Sequence, residues 1–234
     1  MAVCRSIDVA RALIFDLDGT LVDTVYAHVF AWQRALAEEG MPIDAWRIHR
    51  RIGMSGGLFT RAVAREVGRE LSPEETELIQ RRHGRVFREL LPDRRPLPGA
   101  VALLADLRGR GVVHGIATSG KPAEFKKALK ALSLSSTAVV IDGDMVKQVK
   151  PEPDLFLMCQ QKLQVDRTEC LVVGDAVWDV HAARRAGILS VGLLTGGFGE
   201  QELYNAGAMR VYRDAADLLA GIDDLGIEAR PAGR

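Results

Sequence analysis

Short apolar runs recur at 10–15, 112–117, 138–141, 171–173 and 188–194. Each ends on glycine or small polar residues, and most lead into a helical repeat of apolar positions. Such runs, bounded by turn residues, predict buried strands. The helical repeats fall at about 99–110, 122–132, 153–164, 176–186 and 200–206. Val211 closes a last short strand, and 214–221 forms a last helix. Strand alternating with helix predicts an α/β fold, a parallel sheet with helices on both faces.

One region breaks the alternation. Residues 23–95 show helical patterns with no strand between them. Val25, Val29, Trp32 and Leu36 recur at spacings of four, three and four, which is one face of a helix. Gly40-Met41-Pro42 ends it. A short helix follows at about 44–51, then a glycine loop at 53–57, then helices at about 58–69 and 74–90. Ser72, Pro73 and Glu75 predict a capping box at the start of the last. Pro92, Pro96 and Pro98-Gly99 mark the return. The chain thus divides into a core of 1–22 and 96–234 and a helical cap of 23–95 inserted after the first strand. The tail at 229–234 reads as frayed.

Composition narrows the partners. Lys plus Arg number 31 and Asp plus Glu 31, so no global positive charge favours nucleic acid. Apolar residues make up 47%, which excludes a disordered chain. The odd cysteine count (Cys4, Cys159, Cys170) fits a reducing compartment. Arg5, Asp8 and Arg11 interrupt every early apolar run, and no stretch approaches a membrane span. The expectation is a cytoplasmic protein, a monomer or weak homo-oligomer, acting on a small soluble partner without nucleic acid or membrane.

In open α/β sheets, ligands bind outside the carboxyl ends of the strands. Here those ends carry Asp16 and Asp18, then Thr118, Ser119 and Gly120, then Lys150, then Gly174, Asp175 and Asp179. Several carboxylates suit a hard divalent cation with oxygen ligands, commonly Mg²⁺. Two carboxylates two residues apart repel unless a cation or proton lies between them. Hydroxyls and backbone N–H groups at a helix start bind phosphate oxygens, and Lys150 neutralises what charge remains.

The set resembles the haloacid dehalogenase superfamily of phosphotransferases, in its phosphoglycolate phosphatase and β-phosphoglucomutase-like branch. Asp16-Leu17-Asp18-Gly19-Thr20 resembles the first motif, Thr118 or Ser119 the second, Lys150-Pro151 the third, and Gly174-Asp175 with Asp179 the fourth. The resemblance implies a Rossmann-like three-layer core with a type 1 cap. It implies a Mg²⁺-dependent phosphatase acting on a small phosphorylated metabolite. Asp16 would attack phosphorus and Asp18 would serve as acid and base, with its backbone carbonyl on the metal. Asp16, Asp175 and Asp179 would supply carboxylate ligands. Gly19, Thr118, Ser119, Gly120 and Lys150 would hold phosphate, with Thr118 preferred over Ser119.

Cap residues carry weaker signals. His28-Val29-Phe30-Ala31-Trp32 resembles a stretch of β-phosphoglucomutase-like members in which the histidine is catalytic; its alternative is a surface histidine. Trp32 reads as core. Gly53 and Ser55 lie in a loop resembling one that dips toward substrate. The mutases flank that Gly-x-Ser with basic residues, where this chain has Ile52 and Gly56. Arg47, Arg50 and Arg51, and again Arg81, Arg82 and His83, read as solvated faces. A sugar-phosphate mutase is the alternative, and a non-catalytic phosphate-binding protein stands further off. Phosphonate cleavage is disfavoured because Asp18 is present and no lysine lies between Asp23 and Arg95.

Overall fold

The computed structural model describes residues 10–134 and 137–227. Cys4, the early charges Arg5 and Asp8, and the tail at 229–234 lie outside the described residues. Among the described residues there are six strands: β1 (Ala12–Phe15), β2 (Val113–Ala117), β3 (Val139–Ile141), β4 (Cys170–Gly174), β5 (Leu189–Leu193) and β6 (Arg210–Tyr212). They form one sheet in the order β3-β2-β1-β4-β5-β6, and every neighbouring pair is parallel. Chain order reverses between β1 and β4, so the crevice for a ligand opens at their carboxyl ends.

Four helices in succession interrupt the α/β alternation after β1. Those four are α1 (Val25–Ala37), α2 (Ala45–His49), α3 (Gly56–Glu66) and α4 (Pro73–Leu90). Then come α5 (Ala100–Gly109), α6 (Pro122–Ala131), α7 (Asp154–Leu163), α8 (Val177–Ala186), α9 (Glu200–Ala206) and α10 (Ala215–Ala220). Side chains alternate across β1: Leu13 and Phe15 join Leu103, Phe125 and Leu218 on one face. Ala12 and Ile14 join Leu155, Phe156 and Ala182 on the other. Helices therefore cover both faces, giving three layers.

Helices α1 to α4 build a hydrophobic cluster of their own. Val29, Trp32 and Leu36 of α1 meet Ile48, Phe59, Val63 and Ile79. The capping box of α4 forms as the sequence predicts, with Ser72 Oγ accepting from Glu75 N at 3.2 Å and Glu75 Oε2 accepting from Ser72 N at 2.8 Å. One boundary differs. Gly56 and Gly57, expected in a loop, form the first turn of α3, because Ser55 accepts from Leu58 N at 3.1 Å and starts the helix early. The two chain connections of this segment run side by side: Asp23 N donates to Arg95 O at 3.0 Å, and Leu97 N to Leu21 O at 2.9 Å. Among the described residues, no helix is long and apolar enough to cross a membrane.

Candidate active site

Asp16 leaves the end of β1, its N–H still bonded to Val173 O at 2.9 Å. Asp175 follows directly on β4, and Asp179 stands in the first turn of α8. Carboxylate oxygens of Asp16, Asp175 and Asp179 all lie within 4.8 Å of one another, and all three residues are buried. Lys150 reaches them from the loop before α7. Its Nζ contacts Asp16 Oδ1 and lies 2.9 Å from Asp179 Oδ1, at only 1% side-chain exposure. The other oxygen of Asp179 accepts from Ala176 N at 3.0 Å, so this residue caps its helix and pairs with lysine at once.

Three carboxylates around one ammonium leave a surplus of buried negative charge. Burial pushes the Asp16 carboxyl up to about 7, against the pull of Lys150 and with the repulsion of Asp179 and Asp18. Asp175 is raised well above the ordinary carboxylate range, by burial first and then by Asp179 and Asp16. For Lys150, burial disfavours charge, but Asp16 and Asp179 outweigh it and hold the ammonium protonated. Thr20 orients Asp175 through a 2.6 Å hydrogen bond to its Oδ1. Gly19 has φ of +90°, and a Cβ there would lie 2.5 Å from Asp175 Oδ2. Only glycine gives both that turn and that approach.

Asp18 turns away from this trio. Its Oδ1 accepts from Thr24 Oγ1 at 2.8 Å and lies 3.5 Å from His28 Nε2, while Thr118 Oγ1 donates to Oδ2 at 3.4 Å. Burial alone would raise its pKa. The hydrogen bond and charge of His28, with Thr24 and Lys150, outweigh that and hold the carboxyl below its ordinary value. Thr118 also accepts from Gly120 N at 3.0 Å, so its hydroxyl is committed. The buried Ser119 hydroxyl has no hydrogen-bond partner among the described residues.

A cavity of about 360 Å³ opens over Asp16 and Asp18. Thr118, Ser119 and Gly120 line it from the sheet, and His28, Trp32 and Gly53 from the helical segment. Gly53 has φ of +97°, and a Cβ there would sit 3.3 Å from Ala176 and Trp178, so the loop runs tight against α8. Around it the segment is tied to the core. Ser55 N donates to Lys150 O at 3.2 Å, Trp178 Nε1 to Arg50 O at 3.3 Å, and His49 Nε2 to Gly196 O at 2.8 Å.

Several expected sites are redrawn. The Ser55 hydroxyl is spent on the start of α3 rather than turned to a ligand. His83, expected on a solvated face, is buried at 6% exposure, lines the cavity and meets His28 Nδ1 at 3.0 Å. Its neighbour Arg82 does pair near the surface, with Glu38 and Glu39, whereas Arg81 pairs with Glu77 and, like Arg51, lines the cavity. Arg47 and Arg51 converge on Glu66, and Arg50 pairs with Glu202 of the core. Thr24 was not singled out; a hydroxyl eight residues after the first motif aspartate carries no signal until the chain turns back.

A model of haloacid dehalogenase-like hydrolases matches residues 10–187. The chain is 34% identical to phosphoglycolate phosphatase of Rhodospirillum rubrum, covering 89% of each protein. It is 30% identical to β-phosphoglucomutase of Bacillus subtilis, covering 89% of this chain and 91% of that one. A solved hydrolase from Pseudomonas syringae superposes with a TM-score of 0.88 at 45% identity, over 92% of this chain and 98% of that one. With its parallel sheet, its acidic trio at the β1/β4 crevice and these matches, the chain belongs to the haloacid dehalogenase-like hydrolases.

Proposed function

We propose that the protein is a Mg²⁺-dependent phosphatase that hydrolyses a small phosphorylated metabolite through an aspartyl phosphate on Asp16. The observation that carries this reading is the buried trio of Asp16, Asp175 and Asp179, in which Asp16 and Asp179 pair with the Lys150 ammonium and Asp175 has no cation beside it in an ion pair among the described residues. That donor set is all hard oxygen and carries excess negative charge, which fits a magnesium ion. Asp16, Asp175 and Asp179, with the Asp18 carbonyl, would hold it. When bound, the ion supplies charge neutralisation for the phosphoryl oxygens.

The chain's own residues carry the transfer. An Asp16 oxygen attacks phosphorus as the ester P–O bond breaks, and Asp18 gives its proton to the departing oxygen. Water then attacks the aspartyl phosphate and loses a proton to Asp18, which frees phosphate and restores the Asp16 carboxylate. Without substrate, Asp18 rests ionised beside His28 and Thr24. A phosphate dianion entering next to it raises its proton affinity, so Asp18 takes up one proton from solvent water and gives that proton in the first step. Lys150 and the free Ser119 hydroxyl are the donors for phosphate oxygens, while the Gly120 N–H holds Thr118, which aligns Asp18. Residues 23–95 act as the cap that closes over the core of 1–22 and 96–234, with Gly53 and His28 facing substrate.

The relative named β-phosphoglucomutase suggests return of the phosphoryl group to a sugar instead. One observation favours water as acceptor: Arg51, the cation next to the loop that lines the cavity, is held by Glu66 at 2.8 Å. A panel of phosphate esters with Mg²⁺ tests the reading, following released phosphate and sugar-phosphate isomers together. Expected is phosphate release that requires Mg²⁺ and is lost in Asp16→Asn. Absence of turnover across the panel refutes it, and isomer formed in excess of phosphate assigns the mutase.

A further inference from the structure

The buried His83 and the half-buried His28 form one stacked unit. His28 on α1 stacks on Phe87 with ring centroids 3.9 Å apart and planes 9° from parallel. His83 on α4 stacks on Trp32 at 3.9 Å and 14°. Between the rings, His28 Nδ1 lies 3.0 Å from His83 Nε2. On the far side, His28 Nε2 faces Asp18 Oδ1 at 3.5 Å. The proposed function gives Asp18 its role and His28 a place beside it, but leaves His83 without one.

We propose that His83 is a positioning residue for Asp18, acting through His28. The inference rests on the phosphatase reading above. An imidazole flipped by 180° about χ2 keeps its shape but exchanges nitrogens for carbons. In one orientation His28 turns Nε2–H toward the Asp18 carboxylate; in the other it turns a C–H. Stacking on Phe87 does not choose between them, because the two flips fill the same space. A nitrogen of His83 across from Nδ1 does choose, because only the observed flip makes that hydrogen bond.

A neutral imidazole suits the task better than most side chains. Its Nε2 donates when His28 Nδ1 is bare and accepts when Nδ1 carries a proton. The bond therefore persists in both protonation states of His28. The surroundings keep His83 neutral: burial first, then the charges of His28 and Arg88, hold its pKa well below the ordinary histidine value. Both histidines belong to the helical segment while Asp18 belongs to the turn after β1, so the unit meets its target only when the segment is seated.

The test compares His83→Phe, which keeps the stack on Trp32 but offers no nitrogen, with His83→Gln, which places an amide near the position of Nε2. With Mg²⁺ and p-nitrophenyl phosphate, His83→Phe is expected to lower kcat at least about tenfold with KM within about threefold, a share of what a placed acid–base group contributes. His83→Gln should return kcat to within about threefold of the parent, since an amide also donates and accepts. Ring ¹⁵N spectra should show His28 protonated at Nε2 in the parent and a mixture of orientations or tautomers in His83→Phe. Thermal melts confirm that both variants fold. Unchanged kcat and an unchanged His28 ring spectrum in His83→Phe overturn the proposal, as does a folded His83→Gln that behaves like phenylalanine. If the parent releases no phosphate, the phosphatase reading fails, and the His28 spectra still decide the positioning.

Discussion

The ammonium of Lys150 stands 2.9 Å from Asp179 Oδ1, joining the loop before α7 to the first turn of α8 beneath the cavity floor. A buried lysine of this kind is held by its carboxylates, and they by it. Removing it leaves uncompensated negative charge out of reach of water. Lys150→Met is expected to lower metal-free stability by about 3 kcal/mol, read from urea unfolding. Phosphate release should fall at least about a hundredfold, because a fixed charge at the phosphoryl group is lost.

The raised carboxyls make stability depend on pH. Asp16 has a folded pKa of about 7, above its value in the unfolded chain, and Asp175 is shifted in the same direction. Between the ordinary carboxylate range and about pH 7, the folded chain binds more protons than the unfolded one, so their contribution to stability falls as pH rises through that window. The metal-free protein should therefore have a lower urea midpoint near pH 8 than near pH 5, once its other groups are matched by the control variant. Asp175→Asn is that control, and it should flatten the profile. Added Mg²⁺ should stabilise the parent more at the higher pH.

Thr20 touches no substrate but fixes the Asp175 carboxylate at 2.6 Å. Thr20→Val keeps the shape and removes the donor. Metal affinity is expected to drop about tenfold by calorimetric titration, with kcat at saturating Mg²⁺ changed by less than about twofold.

Gly53 holds a positive φ where the loop meets Ala176 and Trp178. Gly53→Ala combines a strained backbone with a contact that has little room. It should cost about 1 kcal/mol in thermal unfolding and raise KM several-fold, because the loop is pushed off the core. A KM that stays at the parental value would show that the seat of this loop does not matter to substrate.

The middle of the sheet was legible because β1 and β4 are buried throughout and read as apolar runs stopped by a polar residue, whereas the edge strand β6, half-exposed, left only Val211 as a signal. Asp16, Asp18, Lys150 and Asp175 were legible because each sits at a strand end or loop that topology sends to one crevice. His83 was not. It lies between Arg82 and Arg85, whose charges pair outward with Glu38, and its own burial comes from the packing of α4 on α1, some fifty residues away in the chain. Thr195, whose hydroxyl bonds Gly19 O at 2.5 Å, was invisible for the same reason, since its partner is 176 positions distant.

The paired connections at Asp23–Arg95 and Leu21–Leu97 have a consequence for inheritance. The ends of the excursion meet as neighbours, so the sheet requires of the inserted segment only that it begin and finish side by side. The neck alone would therefore tolerate exchange of the segment for one of another length, whereas contacts such as Ser55 N to Lys150 O and Trp178 Nε1 to Arg50 O would have to be remade. The exchange is not silent, however, because the neck is also the turn that carries Asp18: Leu17 O accepts from both Leu21 and Val22, and Gly19 N donates to Val22 O. A tilt of the excursion would be carried to the peptide beside Asp18. A new substrate preference acquired through the insertion thus arrives already geared to the chemistry it must serve.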